Sequence, residues 1–263
     1  MTDWLAVCRS AVADVRGVLA ELPTRLEREP VVGAGLGGDD TTAIDKAAED
    51  AIVARFRDLD TTIVSEEVGR VGDGATVVVV DPIDGSINAK RGIPFFSISI
   101  AVADSETMDG VHFGFVHDFG TDEEWTATRG GGAQLNGEPL GAIGPKDTLD
   151  LLAFEATKTA LIARDAPKVV GVAERLRIMG SLALSLCQLA AGRVDGVCSL
   201  KGARSVDIAA AQLLVRELGL AIDLFDVETP FGDAPLDLEG RSRVAAAATP
   251  ALVARIAGAL AGR

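Results

Sequence analysis

The chain has 263 residues, enough for one large domain or two closely packed halves around a sizeable core. Apolar residues make up 48% and charged residues 24%, proportions that exclude a disordered chain. Lys plus Arg number 25 against 39 Asp plus Glu, a formal charge of −14 that would repel a nucleic-acid backbone and excludes a general DNA or RNA binder.

No apolar run approaches the ~20 residues needed to cross a bilayer. Met1-Thr2-Asp3-Trp4 lacks the basic stretch and apolar core of a signal peptide. The expected compartment is the cytoplasm, with no membrane partner. Cys8, Cys187 and Cys198 cannot all pair and none lies in a CxxC, so they read as small buried hydrophobes. Only His112 and His117 are present and Tyr is absent, which excludes a histidine-rich metal site. Chemistry is left to carboxylates, hydroxyls, backbone amides and a bound cation. The 6 Lys against 19 Arg, with the acidic excess, suit adaptation to high salt and equally the bias of a GC-rich genome.

In chain order, Leu5, Cys8, Val12, Val15, Leu19 and Leu22 form one apolar stripe and predict a helix over 3–22. Residues 33–38 (Gly-Ala-Gly-Leu-Gly-Gly) read as a mobile loop. A second helix is expected over 42–59, with Ile44, Ala48, Ile52 and Phe56 inward. Strands follow over 62–65, 76–80, 95–103, 110–117 and 124–128, and Asn136-Gly137 signals a hairpin turn. The second half alternates strands (151–156, 175–179, 196–200, 220–225, one at Val244) with helices at 181–191 and 207–218, stopped by Gly192 and Gly219. Thr249-Pro250 starts a last helix with a hydroxyl cap and Pro at its first position. The pattern is α/β with mixed sheets covered by helices. The chain is read as a single domain over 1–263 with an α+β half, 1–145, and an α/β half, 146–263; the weak boundary lies near 141–147.

Four acidic segments carry the chemistry. In Asp81-Pro82-Ile83-Asp84-Gly85-Ser86 an apolar strand delivers two acids onto a tight turn that Pro82 restricts, and Gly85 permits close approach by a ligand. If the amides after Asp84 open a helix, they point at a phosphate. Glu66-Glu67 also follows a strand; should Glu66 meet Asp81 and Asp84, the packed charges must take up protons or surround a cation. Oxygen donors without His or Cys select Mg²⁺ or Mn²⁺ over zinc. Asp207 lies at a helix start, where spacing alone does not separate a cap from a ligand. In the fourth segment, 38–45, Asp45 with Ser86 could orient an attacking water, and Asp39 or Asp40 stands near a loosely held further cation; helix capping reads the same acids equally well.

Together Ser65-Glu66-Glu67, Asp81-Pro82-Ile83-Asp84-Gly85-Ser86-Ile87-Asn88 and Val206-Asp207-Ile208-Ala209-Ala210-Ala211 resemble the inositol monophosphatase superfamily of metal-dependent phosphatases. Ile63-Val64 before the first string, Ser86, Gly92-Ile93-Pro94-Phe95-Phe96 and Arg204-Ser205 resemble the archaeal branch with dual fructose-1,6-bisphosphatase and inositol monophosphatase activity. The resemblance implies a layered αβαβα sandwich of the sugar phosphatase type, commonly a homodimer, with two or three Mg²⁺ (or Mn²⁺) per site. It implies Glu66, Asp81 and the Ile83 carbonyl as ligands of a first metal, and Asp81, Asp84 and Asp207 of a second. Asp45 and Ser86 would handle the nucleophilic water and, with Asp39, a weaker third cation. Catalysis would thus rest on Asp45, Glu66, Asp84 and Ser86, and substrate contacts on Gly85, Ser86, Gly180, Ser181, Lys201 and Arg204.

Two departures bear on the substrate. Leu200 stands where inositol-directed relatives often place an acid, and Val206 where tryptophan is frequent. Lys201 and Arg204 then favour a second phosphate, and so a small phosphorylated sugar over a cyclitol. The expected reaction is hydrolysis of fructose 1,6-bisphosphate and/or inositol 1-phosphate by metal-activated water. The alternatives are a 3′(2′),5′-bisphosphate nucleotidase of the same superfamily and a catalytically silent relative that binds an effector.

Overall fold

A strand that is apolar on both sides must be covered on both sides, and residues 76–80 (Thr-Val-Val-Val-Val) set the layering. The structure, a computed structural model, describes residues 2–36, 40–144 and 146–262. The first part of the chain runs α1 (Trp4–Glu21), a single turn α2 (Arg25–Arg28), β1 (Val31–Ala34), β2 (Asp40–Thr42), α3 (Ala43–Phe56), β3 (Thr61–Ser65), β4 (Gly69–Val71), β5 (Thr76–Asp84) and α4 (Ser86–Arg91). Next come β6 (Ser97–Ala103), β7 (Val111–Asp118), β8 (Glu124–Thr128), β9 (Gly132–Leu135) and β10 (Glu138–Pro139). The remainder is β11 (Leu149–Glu155), α5 (Thr159–Asp165), β12 (Ala173–Arg177), α6 (Leu182–Ala190), β13 (Gly196–Ser199), α7 (Ser205–Glu217), β14 (Ala221–Leu224), β15 (Val244–Ala247) and α8 (Pro250–Ala261).

Eight strands form one sheet in the order β10-β9-β8-β7-β6-β5-β3-β4, and five form a second in the order β12-β11-β13-β15-β14. The pairs β3–β5, β11–β12 and β11–β13 are parallel and the other pairs antiparallel. Alternation along β5 sends Val78 and Val80 against α1 and α3, in a core with Ile44, Ile52, Phe56, Ile98 and Phe115. Val77 and Val79 face the other way, toward α6 and α7 and the second sheet's Val197, Val244 and Ala246. The far side of that sheet packs Leu152, Phe154 and Cys198 against Leu252 and Ile256 of α8. The result is the expected αβαβα sandwich, a mixed α/β fold. Helix α7 lies in the middle layer with Ser205 through Val215 all buried, as an Ala-rich helix between two sheets must be.

Most expected elements lie within a few residues of their observed bounds. Asn136 and Gly137 take positive φ of 54° and 80°, the backbone that a two-residue hairpin turn requires. The glycine-rich stretch differs from expectation. Val31–Ala34 is a strand paired antiparallel with β2, because backbone pairing rather than side-chain packing forms it; all four residues are exposed. Gly37, Gly38 and Asp39 fall outside the described residues. Helices α2, α4 and α5 and strand β4 are too short to leave a periodic signal.

Close packing of α7 on β7 fixes where Asp207 enters the site. A Cβ on Gly114 of β7 would lie 2.5 Å from the Ala210 carbonyl oxygen of α7, so backbone meets backbone there. Gly114→Ala is expected to lower stability by about 1–3 kcal/mol through overpacking, read by urea unfolding. The control is Gly17→Ala, exposed on α1 with open space around it, which gains up to ~1 kcal/mol from helix propensity.

Candidate active site

Asp81 and Asp84 are three residues apart on a strand, a spacing that sends side chains to opposite faces. The pairing of β5 with β6 resolves this: Asp81 faces Ser99 and Asp84 faces Ser97. Three steps on one strand therefore match two on the other. The extra residue is a bulge, and it turns both carboxylates to one side. Pro82, inside the bulge, has no N–H to lose from the ladder. The Ile83 N–H donates to Asp81 Oδ1 at 3.1 Å. Gly85 follows at φ 89°, and a Cβ there would meet the Phe95 and Gly180 carbonyl oxygens at 3.0 and 3.2 Å, so only glycine lets the chain turn into α4.

A cavity of about 650 Å³ opens over this turn, and its walls include Asp45, Glu66, Asp81, Ile83, Asp84, Gly85, Ser86, Gly180, Lys201, Arg204 and Asp207. The structure thus brings to one cavity every expected site residue except Ser181, which lies just behind it, and Asp39, which is outside the described residues. Ser181 is buried and caps α6; its hydroxyl donates to Asp84 Oδ2 at 2.5 Å, and the Ala183 N–H donates to the same oxygen at 2.7 Å. Asp84 is therefore held against the N-terminus of α6.

Asp207 is the third residue of α7. Its Oδ2 accepts the Arg204 N–H at 2.7 Å and its Oδ1 lies 2.9 Å from Arg204 Nη2. Arg204 Nη1 lies 2.5 Å from Glu66 Oε1, yet out of line for a hydrogen bond. This guanidinium is buried, so it differs from the solvated cation expected to greet a second phosphate: it is the counter-charge between two acids. Lys201 is exposed at the rim. Leu200 is buried and borders a different cavity.

Burial dominates the electrostatics. It pushes the Glu66 carboxyl up to about 7, with Asp207 adding and Arg204 opposing. It raises Asp84 to about 6 against the Ser181 hydrogen bond, and Asp207 adds again. Asp81 rises well above the carboxylate range through burial and the charges of Glu66, Asp84 and Asp207. Mutual repulsion among four acids from three segments is the physical statement that they share one site.

The donor set fits a hard divalent cation: oxygens only, four carboxylates against one guanidinium. Ser97 and Ser99 Oγ, across the ladder from Asp84 and Asp81, are buried without hydrogen-bond partners, so polar demand lies behind the acids as well as at them. Among the described residues no three donor side chains are grouped tightly enough to chelate one ion as they stand, and Arg204 is the wedge between Glu66 and Asp207.

Several site residues escaped sequence reasoning. Glu155 ends β11 as Glu66 follows β3, a repeated signal of an acid at a strand's end; it accepts from Gly180 N at 2.8 Å, Met179 N at 3.3 Å and Ser185 Oγ at 2.7 Å. Burial raises its pKa. Asn88 donates to the Phe95 and Met179 carbonyls, both at 2.8 Å, stapling the turn after β5 to the loop before α6. Glu49 of α3 accepts from Ser65 Oγ, Glu67 N and Val68 N, which fixes the loop that carries Glu66. Lys90 and Lys158 also line the cavity.

An acid-walled, oxygen-only centre beside a glycine turn into a helix defines the class: a phosphoric monoester hydrolase. The chain belongs to the inositol monophosphatase family, whose pattern matches residues 6–262, and that family is metal-dependent. It is 34% identical over 248 residues to the fructose-1,6-bisphosphatase/inositol-1-monophosphatase of Archaeoglobus fulgidus, covering 93% of each chain. It is 39% identical over 192 residues to Nus factor SuhB of Escherichia coli K12, covering 69% of this chain and 70% of that one. Among solved structures, the inositol monophosphatase-fructose 1,6 bisphosphatase MJ0109 superposes with a TM-score of 0.85 at 28% identity, over 98% of this chain and 100% of that one.

The raised carboxyls set a pH dependence. Glu66 and Asp84 hold protons in the folded chain at pH values where the unfolded chain has released them, so stability present below about pH 4 is lost as pH rises through 6 and 7. With a chelator present, Tm is expected to fall on the order of 5 °C between pH 5 and 8, corresponding to ~2 kcal/mol. A calorimetric Tm that rises over this range would contradict the burial of these acids.

Proposed function

We propose that this chain hydrolyses fructose 1,6-bisphosphate and inositol 1-phosphate with Mg²⁺, at the cavity walled by Glu66, Asp81, Asp84 and Asp207. The observation that carries the reading is the bulge in β5, which turns two acids three residues apart onto the face where Glu66 and Asp207 also arrive. Glu66, Asp81, the Ile83 carbonyl, Asp84 and Asp207 would hold the cation, Mg²⁺ or Mn²⁺. When bound, such ions acidify water and offset charge on the departing oxygen.

The chain's own groups do the rest. Gly85 and Ser86 amides, at the start of α4, face the phosphoryl oxygens. Asp45 and Ser86 orient the attacking water from the α3 side. Gly180 closes the opposite wall, its segment held by Glu155 and Asn88, and Ser181 supports Asp84 from behind. For the acids to hold a cation, Arg204 would have to release Glu66. At the rim, Lys201, joined by Lys158, meets a second phosphate; both are exposed and line the same cavity. Leu200 does not line this cavity and so does not bear on the choice between sugar and cyclitol. The likeness to Nus factor SuhB leaves the reading in place, because each expected oxygen donor is present.

No helix of the described residues is long and apolar enough to cross a membrane, and we read the protein as a cytoplasmic homodimer. Ile93 and Ile178 are exposed apolar side chains that a second copy would cover.

Phosphate release from fructose 1,6-bisphosphate, inositol 1-phosphate and 3′-phosphoadenosine 5′-phosphate tests the assignment. The first two are expected to be turned over with Mg²⁺ and the third poorly. Asp84→Asn is expected to lose at least 100-fold in kcat with its far-ultraviolet circular dichroism unchanged, on the order of 3 kcal/mol of transition-state stabilisation. Near-normal turnover by that variant rejects the site.

A further inference from the structure

The third-cation position implied for Asp45 is already charged by the protein itself. Asp45 is buried at the third position of α3, where one oxygen, Oδ2, accepts the Thr42 N–H at 3.2 Å and the Thr42 hydroxyl. The same oxygen lies 3.3 Å from Lys90 Nζ. Lys90 follows Ser86 by four residues on α4, so one helix face presents the Ser86 backbone and hydroxyl and, one turn on, an ammonium. Both lysine and aspartate line the catalytic cavity. The Lys90 side chain is only 16% exposed, unusual for a residue that normally keeps its head in water; its whole length is committed to reaching Asp45.

We infer that the Lys90 ammonium is a built-in replacement for the third divalent cation: it neutralises Asp45 and keeps that carboxylate oriented toward the water-binding wall beside Ser86. A divalent ion on Asp45 would stand next to a fixed positive charge in a partly desolvated wall, where like-charge repulsion is poorly screened. The inference rests on the metal-dependent reading of the four-acid site. It adds that this chain saturates with two divalent ions, and that Lys90 is a positioning residue acting through Asp45.

The test counts ions. The full chain is titrated with Mn²⁺ alone, and unbound Mn²⁺ is read by electron paramagnetic resonance. The wild type is expected to saturate at two per chain, and Lys90→Met at three, the third being the weakest. Lys90→Arg, which keeps the cation, returns to two, and so does Lys90→Met combined with Asp45→Asn, which removes the freed ligand. Three ions on the wild type, or two on a folded Lys90→Met, overturn the inference. No ion on the wild type overturns the reading of the acid cluster itself and the inference with it. If Lys90→Met does not fold, the wild-type count and Lys90→Gln decide by the same numbers.

Discussion

Four carboxylates withdrawn from water with one guanidinium among them is the constraint on which the rest of the structure depends. An isolated buried carboxylate costs several kcal/mol, and nothing in an Ala- and Val-rich interior offsets that for four. The protein responds with donors placed by backbone geometry. The Ser181 hydroxyl and Ala183 N–H hold Asp84, the Ile83 N–H holds Asp81, and Arg204 holds Glu66 and Asp207. Even so, protonation is favoured at Glu66, Asp81 and Asp84. The site is therefore a store of unfavourable charge that a divalent cation would relieve, which is the electrostatic basis of the affinity proposed for a hard ion.

The layers exist to present that store. First-sheet strands bring Asp81, Asp84 and Glu66 to one end, the middle helices bring Ser181 and Asp207, and the second sheet brings Glu155. A second set of buried acids hooks backbone N–H groups: Glu49 those of the loop that carries Glu66, and Glu155 those of the loop before α6 that leads into Ser181, the partner of Asp84. Anions thus serve two roles, distinguished by what faces them. Those met only by N–H and hydroxyl donors fix loops; those that also face one another form the proposed metal centre. The Asn88 amide, with a carbonyl on each side, joins the two walls without any charge.

Legibility in the sequence followed the range of the interactions. The stripe of α1, the Val run of β5 and the Thr249-Pro250 start of α8 are local patterns, and each lies where periodicity and capping put it. The acid cluster was readable because Asp81-Pro82-Ile83-Asp84-Gly85-Ser86 carries its own turn and because family likeness tied Glu66 and Asp207 to it. What stayed hidden is pairing at a distance. Nothing local says that Arg204 spends its charge on Glu66, 138 positions earlier, or that residues 31–34 find a partner in β2. Lys90 was within reach: four residues after Ser86 on a helix is a same-face relation, but that helix was too short to announce itself.

The bulge between Asp81 and Asp84 carries a consequence for how such a chain can change over generations. Its one surplus residue decides which side of the sheet the second acid occupies, so removal of a single codon there would flip Asp84 away while leaving hydrophobicity, charge and length almost untouched. Conventional substitutions erode a function by degrees. This segment is instead sensitive to parity, and descendants that gain or lose one amino acid between the two acids would keep the sandwich and forfeit the proposed chemistry in one step.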